Sequence, residues 1–195
     1  RVLGCEIFTV DAGWFGRDGS GWGDRGDWRE KQGTAFCGRM ADFAREVRAA
    51  GLGFGLWMEP ETYVPGVPVR REHPEWFLPG GRLAIERDDA YAYERGEISR
   101  LIETYDLAWL KVDLNSPLGF DSSGSELLFY YRRWYALIDE IRRRYPRVYL
   151  ENCASGGMRL DLESVRHFDS HFFSDTANPV DALRIAQGLF LRFPP

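Results

Sequence analysis

The sequence predicts an α/β fold: a (β/α)8 barrel, present in part as about six of its eight strand–helix units. Three observations predict it. Short β-rich runs alternate with segments carrying apolar residues at helical spacing, a pattern of parallel strands wrapped by helices. Nearly every run ends in an acidic residue, at Asp11, Glu59, Glu86, Asp113, Glu151 and Asp175. Those ends recur at intervals near the ~30 residues that one strand–helix unit of such a barrel occupies. An open doubly wound sheet is the rival arrangement. Its first strand should lead into a glycine-rich phosphate turn, whereas "DAGWFG" places Trp14 where such a loop needs small residues.

The elements follow in chain order. "EIFTVD" is the first strand, and Phe36, Met40, Phe43, Ala44 and Val47 then share one helix face, with Gly51 as the stop. "GFGLWMEPE" is the second strand and "RLAIE" the third. Ile98, Leu101, Ile102 and Tyr105 form the next helical stripe. "LAWLKVD" is the fourth strand, with Leu110, Val112 and Leu114 facing helices and Trp109, Lys111 and Asp113 facing the interior. Leu127, Leu128, Tyr131, Trp134, Tyr135, Ile138 and Ile141 make a long stripe ended by Pro146. "VYLEN" and "HFFSD" are the fifth and sixth strands. "NPVD" then opens a helix with Asn178 as N-cap and Pro179 at its first position.

Composition narrows the function. Hydrophobic residues make up 44% and charged residues 28%, a globular balance with enough apolar material for a sizeable core. No run approaches the ~20 apolar residues of a membrane span, so no membrane role is expected. Net charge is −5 and the one basic run, Arg142 to Arg144, lies on a helical pattern, so no nucleic acid is expected as a partner. Cys5, Cys37 and Cys153 are odd in number and lack CxxC spacing, which argues against a disulfide framework or zinc site.

Barrel active sites gather at the carboxyl ends of the strands, so the acidic residues converge there. Asp113 and Asp175 are the strongest pair, ending the expected fourth and sixth strands. Two steps around the barrel, at ~4.8 Å per strand, bring within reach the ~5–5.5 Å carboxyl separation of a retaining glycosidase. Lys111, on the face of Asp113, is expected to keep that carboxylate ionised. Trp14 and Trp57 lie at strand mouths, where a flat ring can cover a sugar's C–H face, and core packing is the competing role. Glycines beyond Cys153 allow close backbone approach to a ligand, and no histidine is placed to activate that thiol.

At these residues the chain resembles glycoside hydrolase family 36, the α-galactosidases and raffinose-synthase-like proteins. The matching blocks are "VDAGWFG", "GDW", "GLGFGLWMEPE", "HPEWFL", "LAWLKVDLN", "ENCASGGMRLD" and "FFSDTANPVDALRIAQG", in family order from Val10 to Gly188. The resemblance implies Asp113 as nucleophile and Asp175 as acid/base. It places Asp11, Trp57, Arg82, Lys111, Asn115, Cys153 and Gly156 around the sugar. It implies a retaining α-galactosidase acting on oligosaccharides, without metal or cofactor, and a homo-oligomer for the full-length protein. The organisation it implies is one partial catalytic barrel domain over residues 1–195, with the last barrel strands and flanking β-rich domains outside this chain.

Three departures bear on substrate. Ala12 stands where the family carries a second acid, so a sugar differing at C4 or C6, such as an arabinopyranoside, or an N-acetylgalactosaminide, is an alternative to galactose. Val112 and Ser116 replace a bulky ring and a cation in the family's "KWDMNR" block. Transfer to another sugar in place of water would use the same carboxylates. The readings outside this chemistry are a Mg²⁺-dependent lyase or isomerase using Glu59, Asp113 and Glu151, and a non-catalytic carbohydrate-binding barrel.

Overall fold

The computed structural model describes residues 4–193. Its elements are β1 (Ile7–Val10), α1 (Met40–Ala49), β2 (Gly53–Met58), α2 (Pro68–Glu72), α3 (Asp88–Tyr105), β3 (Trp109–Val112), α4 (Ser125–Arg144), β4 (Tyr149–Asn152), α5 (Ser164–His167), β5 (Ser170–His171) and α6 (Pro179–Phe190). The strands form one parallel sheet in the order β1-β2-β3-β4-β5. Strand neighbours in sequence are neighbours in space and helices cross between them, the arrangement of a partial (β/α)8 barrel.

Register sorts the side chains into two layers. Leu56, Leu110 and Leu150 align across β2, β3 and β4 and are wholly buried, as are Phe54 and Met58. They meet the buried faces of α1 (Met40, Ala44, Val47), α3 (Ile98, Leu101, Ile102) and α4 (Trp134, Ile138, Ile141). The opposite layer carries Trp57, Lys111 and Glu151, aligned in the same way. In this layer Gly55 is required by space, because a Cβ there would lie 3.0 Å from the Trp109 Cβ. A parallel strand buried on one face and polar on the other is what an open barrel interior demands.

The helix boundaries have local causes. Gly51 (φ +84°) ends α1 in the left-handed conformation. Asn178 caps α6 by accepting from the Val180 and Asp181 amides at 2.9 and 3.4 Å. Two expectations shift slightly. Phe36 precedes α1 but still packs on Phe43, ring centroids 5.0 Å apart. Leu128 of the long stripe is half exposed, because that side of α4 faces out.

The third expected strand, "RLAIE", is not in the sheet. Gly80 and Gly81 (φ +90° and +91°) reverse the chain just before it, and isolated antiparallel bridges pair Arg82 with Thr62 and Leu83 with Phe77. The segment belongs to the excursion between β2 and α3, and its apolar residues are buried there. Its β-like composition reports burial in an extended segment, not a place in the barrel. Among the described residues the sheet therefore has five strands. Asp113 follows the third and Asp175 the fifth, still two positions apart.

Candidate active site

Asp113 is the first residue beyond β3, and its amide donates to the Met58 carbonyl at 2.8 Å, so the strand ladder itself fixes the backbone. The side chain continues the interior layer of Lys111 and is buried. Its Oδ2 accepts from Trp57 Nε1 at 3.0 Å and Asn115 Nδ2 at 2.7 Å. Its Oδ1 accepts from the amides of Leu114 at 2.8 Å and Ser155 at 3.3 Å. Burial alone pushes the carboxyl's pKa up. The donors Asn115, the Cys153 thiol, Trp57 and Leu114 overcome it and hold the group below the usual carboxylate range. The result is an ionised carboxylate, poorly hydrated and oriented by neighbours from three strands.

Lys111 makes its direct contacts elsewhere: its ammonium pairs with Asp11 Oδ2 at 3.2 Å and lies 4.2 Å from the centre of the Phe172 ring, and it also feels the charge of Asp113. Burial would lower its pKa, but Asp11, with Cys153 and Asp113, more than offsets this and the net shift is upward, so Lys111 is a fixed cation. Asp11 itself is exposed beyond β1. With Glu151, whose carboxylate accepts from Trp109 Nε1 at 3.2 Å, these groups make a polar interior wall beside Asp113.

Of the two roles weighed for Trp14 and Trp57, both rings take the packed one. Trp14 is core: it is 1% exposed, packs on Phe15, Trp28 and Tyr105, and donates to the Trp57 carbonyl at 2.9 Å. Trp57 is equally buried, with Phe15 stacked on it at 5.8 Å, so it presents no open face and acts through its N–H on Asp113. The exposed ring at this mouth is Trp22, edge-on to Trp57 at 5.4 Å. Nothing in the sequence separates Trp22 from the others, since only the fold of the β1–α1 loop brings it out.

Cys153 is buried, and burial followed by the adjacent Asp113 pushes its thiol far up, so it stays protonated and donates instead of attacking. Asn115 bridges the site: besides Asp113, its Nδ2 reaches Glu59 Oε2 at 2.9 Å, and its Oδ1 accepts from Ser155 Oγ at 2.8 Å. Ser155 (φ +42°) and Gly156 (φ +81°) are both left-handed. This tight turn after β4 aims the Ser155 amide at Asp113. A left-handed non-glycine residue costs about 1–2 kcal/mol, and here the strain coincides with the carboxylate it serves.

Gly156 lies against the chain leaving β5: a Cβ there would stand 2.9 Å from Ser174 Cα and 3.1 Å from the Asp175 amide nitrogen. One turn therefore touches Asp113 through Ser155 and the Asp175 backbone through Gly156, and the Asp175 side chain is exposed at the same rim. Arg82 is not brought to this cluster. It is buried in the excursion wall, bonded to Glu86 at 2.8 Å and lying 4.5 Å over the Tyr130 ring. Beside it Tyr130 and Arg159 both hold the buried Glu61.

Among the described residues no three His, Cys, Asp or Glu side chains converge as metal ligands. Glu59 and Asp113 share the Asn115 amide, while Glu151 is held by Trp109, so the three carboxylates of the Mg²⁺ reading do not converge on one point.

The melibiase family profile matches residues 1–195. An α-galactosidase of Escherichia coli is 30% identical over 211 residues, spanning 100% of this chain and 29% of that protein. α-Galactosidase Mel36A of Lactobacillus acidophilus is 28% identical over 214 residues, with the same coverage. Among solved structures, the family 36 α-galactosidase AgaA of Geobacillus stearothermophilus superposes with a TM-score of 0.84 at 28% identity, over 96% of this chain and 29% of that one. A variant of AgaA solved in complex with stachyose superposes with a TM-score of 0.83 at 27% identity, with the same coverage. The chain thus spans less than a third of the length of these relatives. With the profile matched from end to end, and the parallel sheet shared with these structures, the chain belongs to the melibiase family, glycoside hydrolase family 36.

Proposed function

We propose that this chain is the catalytic barrel region of a retaining glycoside hydrolase that removes terminal α-linked galactose from oligosaccharides. The observation that carries the proposal is the Asp113 carboxylate: buried, yet kept ionised by four hydrogen-bond donors and the Cys153 thiol. A carboxylate so held is poorly solvated, aimed by rigid neighbours, and suited to attack an anomeric carbon.

In the first step an Asp113 oxygen bonds to the anomeric carbon as the glycosidic bond breaks, and Asp175 gives its proton to the departing oxygen. In the second, Asp175 takes a proton from water, which displaces Asp113 and restores the starting configuration. The exposure of Asp175 suits it to exchange protons with leaving group and water. Trp57, Asn115, Cys153 and Ser155 orient the nucleophile, Gly156 seats the Asp175 segment, and Asp11 with Lys111 offers paired charges to sugar hydroxyls. Arg82 supports the wall. The scheme uses two carboxylates and water.

Residues 1–195 as part of a longer protein with flanking β-rich domains, and its assembly as a homo-oligomer, belong to the same proposal. They are supported by the resemblance and by the greater length of the relatives. One observation favours a second sugar: Asp11 stands beside Ala12, so one carboxylate and not two faces the outer hydroxyls. A screen of the full-length protein on aryl α-galactoside, β-L-arabinopyranoside and α-N-acetylgalactosaminide decides between them.

The mechanism is tested by Asp113→Ala, which should abolish turnover and be rescued by azide to give a glycosyl azide of inverted configuration. A folded variant without rescue would refute the nucleophile assignment. Asp175→Ala should impair substrates with poor leaving groups far more than activated aryl glycosides, and equal losses would refute the acid role.

A further inference from the structure

Glu59 follows β2 on the same face as Trp57 and is wholly inaccessible to solvent. A buried carboxylate must be matched by donors. Thr62 Oγ1 donates to its Oε1 at 2.6 Å, Asn115 Nδ2 donates to its Oε2 at 2.9 Å, and Arg25 Nε lies 3.2 Å from Oε1. Burial pushes Glu59 up, and Thr62, Arg25 and Asn115 only partly counter it. Arg25 continues outward, donating from Nη2 to Ser116 Oγ at 2.7 Å. The β1 loop is thereby fastened to the ends of β2 and β3.

The consequence falls on Asn115. An amide has a donating and an accepting side, and an ionised carboxylate only accepts. Asn115 Nδ2 has one hydrogen for Glu59 and one for Asp113, and its Oδ1 is taken by Ser155. Two carboxylates flanking one nitrogen leave a single satisfactory orientation of that amide. Turned over, its oxygen would face both negative groups.

We propose that Glu59 is a positioning residue for the nucleophile: anchored by Thr62 and Arg25, it locks the Asn115 amide so that Nδ2 donates to Asp113. The inference rests on the reading of Asp113 as nucleophile and deepens it. Ser116, where the resembling family carries a cation, accepts a hydrogen bond from Arg25, so in this chain the β1 loop supplies the positive charge at that place.

The test uses the full-length protein, with E59D, E59Q, N115A and the double variant E59D/N115A. E59D keeps the charge but withdraws the carboxylate from Asn115. In E59Q the single carbonyl oxygen is drawn to Thr62 and Arg25, which leaves an amide nitrogen facing Asn115 Nδ2. The acid limb of kcat/KM against pH reports ionisation of the nucleophile, and a ¹³C-carboxyl titration, assigned through D113N, reports it without turnover. Lys111, Glu151 and Cys153 also face Asp113 and are common to all the variants. E59D should raise the Asp113 titration and the acid limb together by roughly half a unit to one unit and lower kcat about tenfold. E59Q should shift both in the same direction as E59D, and the double variant should be no worse than N115A. A wild-type titration in E59D, or losses that multiply in the double variant, would overturn the proposal. Should E59D not fold, N115A alone decides: without the Asp113 shift there is no orientation for Glu59 to enforce. Wild-type protein without glycosidase turnover would defeat the functional reading while the carboxyl titration still judges this one.

Discussion

Gly156→Ala separates the fold's contribution from the chemistry. The added Cβ would lie 2.9 Å from Ser174 Cα and 3.1 Å from the Asp175 nitrogen. Both are backbone atoms, which cannot swing aside as a side chain does. Restoring an ordinary contact of ~3.5–4.0 Å moves the Asp175 segment by roughly half an ångström to one ångström. The left-handed backbone at φ +81° adds about 1–2 kcal/mol of strain for alanine. A displacement near 1 Å costs about 10²-fold where proton transfer must be aligned. That loss should fall on the step needing the acid. In the full-length protein, kcat on a substrate with a poor leaving group should drop by about 10²-fold, and an activated aryl glycoside should lose far less. Azide should raise the activated substrate's rate, because it attacks the glycosyl-enzyme without needing Asp175 as base. Unchanged kcat on both substrates, or equal losses on both, would refute the argument that this glycine seats the acid/base.

Two further predictions follow from the same site and its core. Trp57→Phe keeps a ring but removes the N–H donated to Asp113 at 3.0 Å. A hydrogen bond to a charged group contributes about 1.5–3 kcal/mol, so the Asp113 pKa should rise toward the ordinary value by about one unit. Activity that needs the ionised form then fails at higher pH, and the acid limb moves up; a limb that stays put or moves down contradicts the assignment. The same lowered folded pKa gives stability that is present above the unfolded carboxylate value and lost as pH falls through the folded one, and Trp57→Phe narrows that window. Leu110→Ala empties a wholly buried position between Leu56 and Leu150 and should destabilise by about 2–5 kcal/mol in denaturant unfolding. A cost well under 1 kcal/mol would mean that this layer is not tightly packed.

The strand–helix alternation was legible because burial imposes a period on the residues that make each element. Leu110 and Val112 against Lys111 and Asp113 reads as a strand with one face in the core. The stripes of α1, α3 and α4 read as helices for the same reason. "RLAIE" misled because a buried extended segment and a barrel strand need the same side chains, and only pairing partners distinguish them. For Trp14 and Trp57 the sequence left covering a sugar and core packing both open, because which face the rest of the loop covers is a property of packing.

The sequence by itself determined the strand–helix alternation, the inward parity of Asp113 and the family blocks, since these depend on alternation and spacing along one chain. Tertiary structure alone decided how Asp113 is held. Trp57, Asn115, Cys153 and Ser155 come from three different strand ends, and the left-handed turn at Ser155 and Gly156 joins Asp113 to Asp175. Hydrogen bonds between residues 40 to 60 positions apart leave no periodic trace in the chain. They exist only once the parallel ladder has set the strands side by side.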